Sequence, residues 1–364
     1  MSLEESCPPR ILEIGEASRM AYAFADTTEF FSTFNRGSEH DGPPVTKLVS
    51  AKTLIPLAQR LFDPTLDLIV VHASPQGLFE GVARTIFRRD ALRGHLPLVR
   101  IFAQQLLRRI PTTPVAVLDL EDSPSILPCN EHLLEVATLY FKRELPPDRW
   151  RLFARGGKTP TLRYRQASRY QHLLSKIRPL SLGIPAAVLN YEIPQSQAGD
   201  KDIDVFFSGR LRNSSTVRER GASELVQLAN KGLRIEIGDA HMSSSDYLAR
   251  CARSWLVWAP EGYGWDCFRP YEAALVGSVP LISRQTIERH MPLVESEHCI
   301  YYDLEIGELT HAVRRALKNR VHLVKMAEAA RAHVLRHHTP KALAQHVAHS
   351  TLSVARRRQD LMFE

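Results

Sequence analysis

Cysteine is sparse in this sequence, and its few copies carry no pattern: Cys7, Cys129, Cys251, Cys267 and Cys299 are odd in number and show no C-x-x-C spacing. That argues against a disulfide framework and against a thiolate zinc site, and reduced thiols are expected. Long hydrophobic runs are missing too. The longest, such as 66–71 and 255–259, have strand length and fall far short of the roughly 20 apolar residues of a membrane-spanning helix. The opening residues, Met1-Ser-Leu-Glu-Glu-Ser, are acidic where a secretory leader is basic, and no apolar core follows, so a cytoplasmic protein is expected. Internal repeats and low-complexity segments are also lacking, which removes solenoids from consideration.

What is present is the composition of a globular protein. The 364 residues are 44% hydrophobic and 24% charged, enough for one large domain or two ordinary ones. The net charge of +7 is unevenly spread. Between Lys142 and Arg178 stand eleven basic residues and two acidic ones, Glu144 and Asp148, so this stretch alone exceeds the charge of the whole chain. An anionic partner is one reading of it and a solvated helix face is the other.

Short apolar runs alternate with longer amphipathic ones, the pattern of a mostly parallel α/β sheet. In the first half, 11–14, 66–72 and 115–120 read as strands, and 81–93 and 95–109 as helices. In the second half, 204–208, 233–237, 255–259 and 279–283 read as strands. Helices are expected between them over 216–230, 245–253 and 268–276, the second opened by a Ser-Ser-Ser-Asp cap and the third closed by Gly277. Residues 178–202 have linker composition, rich in Pro, Gly, Ser and Gln, so a domain boundary is expected near 180–200. Beyond Leu304 the pattern is helical, over 327–337 and 341–358, with a break at Thr339-Pro340. The expected division is 1–185, 186–340 and a C-terminal helix 341–364.

The most informative segment runs from Trp258 to Ile282. A strand ends at Ala259, a loop with Glu261, Gly262, Tyr263 and Gly264 follows, and a helix starts near Phe268 with Arg269 and Glu272 on one face. Glycines at such a turn admit a ligand close to the backbone, and the helix start suits phosphate. A carboxylate can take two hydrogen bonds from a ribose diol, and a guanidinium offers a fork to a diphosphate. The theme recurs upstream, where Ser208-Gly209 ends a strand and Arg210, Arg212 and Arg218 follow. The plain alternatives are a simple turn, a helix-face ion pair and a solvated basic loop.

Taken together, "FFSGR…R" and "PEGYGWDCFRPYEAALVGSVPLI" resemble the C-terminal half of GT-B glycosyltransferases, particularly the exostosin-like and CgeB-like groups, over about residues 203–303. The resemblance implies two Rossmann-like α/β domains facing across a cleft, with the C-terminal helix crossing back to the N-terminal domain. It implies a nucleotide-diphosphate-sugar donor bound by Ser208, Gly209, Arg210, Arg218, Glu261, Gly262, Tyr263, Gly264, Arg269 and Glu272. Glu272 would hold the ribose, and Arg210, Arg218 and Arg269 the diphosphate. No cofactor is implied and no metal, the donor being a substrate. Many retaining members carry a second carboxylate eight residues before the ribose-binding one. Here Gly264 stands there, with Glu261 and Asp266 the nearest acids, so the stereochemical outcome stays open.

Transfer to a hydroxyl with inversion also needs a base. Asp119, Glu121 and Asp122 stand at the carboxyl end of the strand that begins at Val115 and would face the cleft, with Asp122 and Glu121 the candidate bases and helix capping the alternative. His72, at the end of its own strand, is the rival because imidazole titrates near neutral pH. Asp119, Lys142 and Arg143 are placed on the acceptor side, where the two cations could meet an anionic acceptor or be ordinary surface charges. Tyr263 and Trp265 are the candidate stacking rings, whereas Trp255, Trp258, Tyr301 and Tyr302 read as core. His337-His338 closes a helix where cationic imidazole suits the dipole. The function expected is sugar transfer to a carbohydrate, lipid-linked or small-molecule acceptor, with peripheral membrane contact compatible and no DNA partner expected. The alternatives are an epimerase on the same scaffold and a basic nucleic-acid-binding or interaction protein.

Overall fold

A computed structural model describes residues 7–33, 46–48, 52–73, 107, 113–155, 161–189, 191, 201–211, 215–238 and 242–363. The helices expected over 81–93 and 95–109 lie outside these residues apart from Leu107, as does Arg212. The chain divides into two compact units, 1–180 with 341–364 and 181–340.

The first unit carries a seven-stranded, wholly parallel sheet. Its strands are β1 (Ile11–Gly15), β2 (Thr28–Ser32), β3 (Thr46–Leu48), β4 (Leu68–His72), β5 (Val115–Asp119), β6 (Leu139–Lys142) and, after the small hairpin β7 (Ala154–Arg155) and β8 (Thr161–Leu162), β9 (Ile177–Pro179). The spatial order is β3-β2-β1-β4-β5-β6-β9. The central strands β4, β5 and β6 are near-continuous apolar runs because both faces are covered. Leu12, Ile14, Ile69, Val71 and Val117 enter one core, while their neighbours Ile11, Leu68, Val70, Ala116 and Phe141 enter the other. The second core is completed by Leu343, Ala344, Val347 and Ala348 of the helix Pro340–Phe363. That helix starts at a proline, whose fixed φ and missing N–H suit a first turn.

The second unit holds a five-stranded parallel sheet of β10 (Ile203–Ser208), β11 (Ile235–Gly238), β12 (Ser254–Ala259), β13 (Val279–Ser283) and β14 (Ile300–Tyr302), in the order β11-β10-β12-β13-β14. Period-two alternation again splits each strand between two cores, Val205, Phe207, Leu256 and Trp258 on one side and Phe206, Val257, Ala259 and Ile282 on the other. The helices Thr216–Ala229 and Ser244–Ala252 are each capped by a serine, Ser215 and Ser243, whose hydroxyl accepts an N–H of the first turn.

Chain direction reverses once in each sheet. From β1 the chain steps outward to β2 and β3, then returns to β4 on β1's other side; from β10 it steps to β11 and returns to β12. Loops leaving β1 and β4, or β10 and β12, diverge at their carboxyl ends and leave a crevice, the usual ligand position in such sheets.

Three expectations need correction. Thr28–Ser32 and Thr46–Leu48 are sheet strands that the alternation did not reveal. Arg178, assigned to the linker, lies within β9, because three residues suffice for an edge strand. His338 is not a cationic helix end: it is buried and its pKa is pushed well below the usual value by desolvation, which outweighs the dipole.

Candidate functional site

At the second unit's crevice, β10 ends in Ser208-Gly209 and β12 in Ala259, followed by the loop 260–268 and the helix Arg269–Leu275. A cavity of about 320 Å³ opens there, lined by Val188, Ser208, Gly209, Met242, Ser244, Tyr247, Cys267, Phe268, Arg269 and Glu272. Gly209 has φ +154°, a conformation that L side chains rarely adopt, and a Cβ on it would come within 2.9 Å of the Arg269 guanidinium. Arg269 lies over the Phe207 ring at 5.1 Å, and its Nη1 points to Cys267 Sγ at 3.8 Å. Glu272, one turn on, lines the same cavity, as the i, i+3 spacing predicts.

Arg218 reaches the loop from the first turn of the helix Thr216–Ala229. Its Nε donates to the Glu261 carbonyl at 2.8 Å and its Nη1 to the Arg210 carbonyl at 3.1 Å. Gly262 makes this possible, since a Cβ there would stand 2.6 Å from Arg218 Nη2. The loop is held further by the Gly262 N–H donating to the Gly264 carbonyl at 3.0 Å and the Glu261 N–H donating to Ser283 Oγ at 3.0 Å. Tyr263 projects outward, 75% exposed, and the Trp265 carbonyl accepts from Gln285 Nε2 at 2.6 Å.

Electrostatically the crevice wants an anion. Desolvation and then the neighbouring Arg269 lower the Arg218 pKa, so the two guanidinium groups disfavour one another. Neither forms an ion pair with a carboxylate among the described residues; their hydrogen bonds go to carbonyls and a sulfur. Burial raises the Glu272 pKa, opposed by Arg269 and by the Tyr247 hydroxyl, and burial raises that of Glu261 against the pull of Arg218. Asp266 is spoken for: it accepts the Leu182 N–H at 2.7 Å and the Tyr271 hydroxyl at 2.7 Å, and stands 3.7 Å from Arg289.

In the first unit the expected residues divide sharply. His72, closing β4, points Nε2 at Glu13 Oε1 at 3.0 Å. Glu13 is fully buried on β1 and also accepts from Ser18 Oγ at 2.5 Å, Arg19 N at 2.7 Å and Met20 N at 3.2 Å. Gly15 ends β1 against the imidazole, where a Cβ would lie 2.4 Å from His72 Cγ. A carboxylate–imidazole pair thus occupies the crevice between β1 and β4.

The acidic cluster after β5 is otherwise committed. Asp119 accepts from Tyr140 Oη at 2.7 Å and from Lys142 Nζ at 3.1 Å, with Lys142 wholly buried. Lys142 and Arg143 are therefore not the surface charges they resembled. Arg143 donates to the Leu120 carbonyl at 2.9 Å, ion-pairs with Asp122 and lies 3.4 Å from Glu144. Asp122 is half exposed but clamped by that guanidinium, and Glu121 is half-buried, its N–H on Asp119 Oδ1 at 3.3 Å. Desolvation raises the Tyr140 pKa well above its usual value, with Asp119 adding to it.

Sequence reasoning passed over Glu13, Gly15, Tyr247 and Cys267. The first two had no local signal, because their partner His72 is 59 positions from Glu13. Cys267 and Tyr247 lie on the cavity wall, and only the cavity singles them out.

Comparisons with known proteins bear on the fold that carries this crevice. Residues 239–349 match a family profile described as glycosyl transferase-like. No curated protein matches the chain. Among solved structures, an α-glucosyltransferase in complex with UDP-glucose and DNA containing an abasic site gives a TM-score of 0.57 at 10% identity, over 94% of this chain and 98% of that one. Anabaena HepE in complex with UDP-glucose gives 0.52 at 14% identity, over 94% and 99%. Sucrose-phosphate synthase from Thermosynechococcus elongatus gives 0.50 at 12% identity, over 98% and 100%. What is shared at these identities is the fold. The chain has the GT-B architecture of two Rossmann-like units with parallel sheets.

Proposed function

We propose that the protein transfers a sugar from a nucleotide-diphosphate donor to an acceptor hydroxyl. The observation that carries this reading is the pair Arg218 and Arg269, two guanidinium groups that disfavour one another beside a cavity that Arg269 and Glu272 line together, with neither guanidinium in an ion pair among the described residues. A diphosphate supplies the missing negative charge, and Glu272 takes the ribose hydroxyls. The glycosyl transferase-like profile over 239–349 and the UDP-glucose in two structural neighbours support the same assignment. Within that class, the Pro-x-Gly and Arg-x-x-Glu-Ala motifs favour the exostosin-like and CgeB-like groups.

The chemistry follows from charge. As the glycosidic bond to the diphosphate breaks, negative charge grows on the leaving phosphate, and Arg218 and Arg269 are already oriented toward it by carbonyl and ring contacts. These fixed cations do the work for which other transferases employ a divalent ion, so we assign a metal-independent reaction. In the first unit we assign His72, rather than Asp122 or Glu121, as the group that takes the acceptor proton. Glu13 holds the ring through Nε2 and stabilises the imidazolium formed. Asp122 already spends Oδ1 on Arg143.

A thermal-shift screen with UDP, GDP, TDP and CDP tests the donor site: at least one should raise the melting temperature of the wild type and not of Glu272→Ala. Silence across all four would refute the assignment. His72→Ala, with UDP affinity kept and turnover lost, tests the base. Unchanged turnover would return the role to the acidic cluster.

A further inference from the structure

The basic stretch 142–178 is not uniformly solvated, and subtracting its internal pairs isolates a surface. Lys142, Arg143, Arg163 and Arg169 are each matched to a carboxylate, of Asp119, Asp122, Glu131 and Glu135 respectively. Arg163 also donates to the Ile126 and Phe153 carbonyls at 2.7 and 3.1 Å, which ties the segment to the core. Arg149, Lys176 and Arg178 donate to backbone carbonyls, and Lys158 lies outside the described residues. Arg151, Arg155 and Arg165 remain, exposed and with no ion pair among the described residues. Beside them stand two rings that the core does not use: Trp150 is 49% exposed and Tyr164 76%.

These five residues share a small, braced region of the first unit. Trp150 and Arg151 lie on the short helix Arg149–Phe153, Arg155 on β7, and Tyr164 and Arg165 on the first turn of the helix Tyr164–Tyr170. Arg155 pairs with Thr161 and Ala154 with Leu162 across the β7–β8 hairpin, and the Arg163 N–H donates to the Phe153 carbonyl at 3.0 Å. Beneath, Phe153 stacks on Tyr170 at 6.0 Å. The elements carrying the exposed groups are therefore fixed to one another.

We propose that this surface docks on an anionic lipid bilayer. Indole and phenol rings favour the headgroup region, where one end is apolar and the other wet. Guanidinium groups add attraction to acidic headgroups, which salt screens. A nucleic acid fits less well, since three unpaired cations are few beside the roughly six to ten phosphate contacts of a strongly salt-dependent binder. The proposal does not rest on the transferase reading.

The test is co-sedimentation of the full chain with phosphatidylcholine vesicles and with vesicles enriched in phosphatidylglycerol. Binding should be confined to the acidic vesicles, weaken with salt, and fall about fivefold for each arginine neutralised in Arg151→Gln and Arg165→Gln. Trp150→Ala should lower it as well. All three residues are exposed, and circular dichroism with the nucleotide thermal shift verifies that the variants are folded. Wild-type retention by the Arg151→Gln/Arg165→Gln double variant overturns the proposal. So does failure to bind acidic vesicles, and so does binding of a single-stranded oligonucleotide without vesicle binding.

Discussion

Replacing Gly262 by alanine tests the donor site without touching a side chain that would contact the donor. The added methyl would lie 2.6 Å from Arg218 Nη2 and 3.5 Å from Arg218 Cζ, and ordinary contact begins near 3.4 Å, so the guanidinium must retreat by about an ångström. Gly262 is not among the glycines with positive φ, so the backbone itself accepts alanine. The retreat disrupts the bonds from Arg218 to the Glu261 and Arg210 carbonyls, which now fix the direction of its charge. Losing one well-aimed charged hydrogen bond to phosphate costs about 1.5–3 kcal/mol, or roughly 10- to 150-fold in affinity. Isothermal titration with the nucleoside diphosphate that stabilises the wild type should show that loss, with the circular dichroism spectrum unchanged. Affinity within about twofold of wild type in the folded variant would mean that Arg218 does not bind the diphosphate, and the site would have to be redrawn around Arg269 alone.

Glu272→Ala should weaken the same nucleotide by about 1–3 kcal/mol, and titration with the deoxyribose analogue should show a smaller difference between the proteins; equal losses for both ligands would remove the ribose role. Asp122→Asn should leave turnover within about threefold and cost no more than about 1 kcal/mol of stability, as expected for a half-exposed ion pair; a large drop in turnover would reinstate Asp122 as base. Gly15→Ala should displace the His72 ring and lower turnover while nucleotide affinity holds, and normal turnover would separate His72 from catalysis. Acid should destabilise the first unit through His346, whose pKa burial lowers to about 4 from 6.5. The unfolded chain takes up that proton first, so stability is full above about pH 6.5 and declines toward pH 4 by about 3 kcal/mol. Urea unfolding at both ends of that range, with His346→Leu as comparison, checks it; equal pH slopes for the two proteins would refute the assignment.

Much of the fold was written in local pattern, and the exceptions have a common cause. Strands buried on both faces, such as Leu68–His72 and Val279–Ser283, are apolar from end to end and stand out between polar turns. Thr28–Ser32 begins with two half-buried polar residues, and Ile177–Pro179 is short and ends in proline, so neither has a legible period; each becomes a strand because a neighbouring edge accepts its backbone. The helix Arg320–His337 opens seven residues before its expected start because Asn319 caps it through the His322 N–H at 3.0 Å.

The two crevices differ in legibility for a topological reason. In the second unit, Glu261, Gly262, Arg269 and Glu272 fall within one strand–loop–helix passage, so sequence spacing and spatial spacing nearly coincide. In the first unit, Glu13 and His72 come from β1 and β4, which are adjacent only because the chain steps out to β2 and β3 before returning. The sequence offered His72 among several strand-end polar residues and no means of ranking them. What separates them in space is the kind of partner each has: Lys142 pairs with Asp119 and Arg143 with Asp122, whereas His72 pairs with the carboxylate of Glu13. A partner that neutralises a carboxylate takes it out of proton transfer, and a carboxylate that partners an imidazole strengthens it for that task.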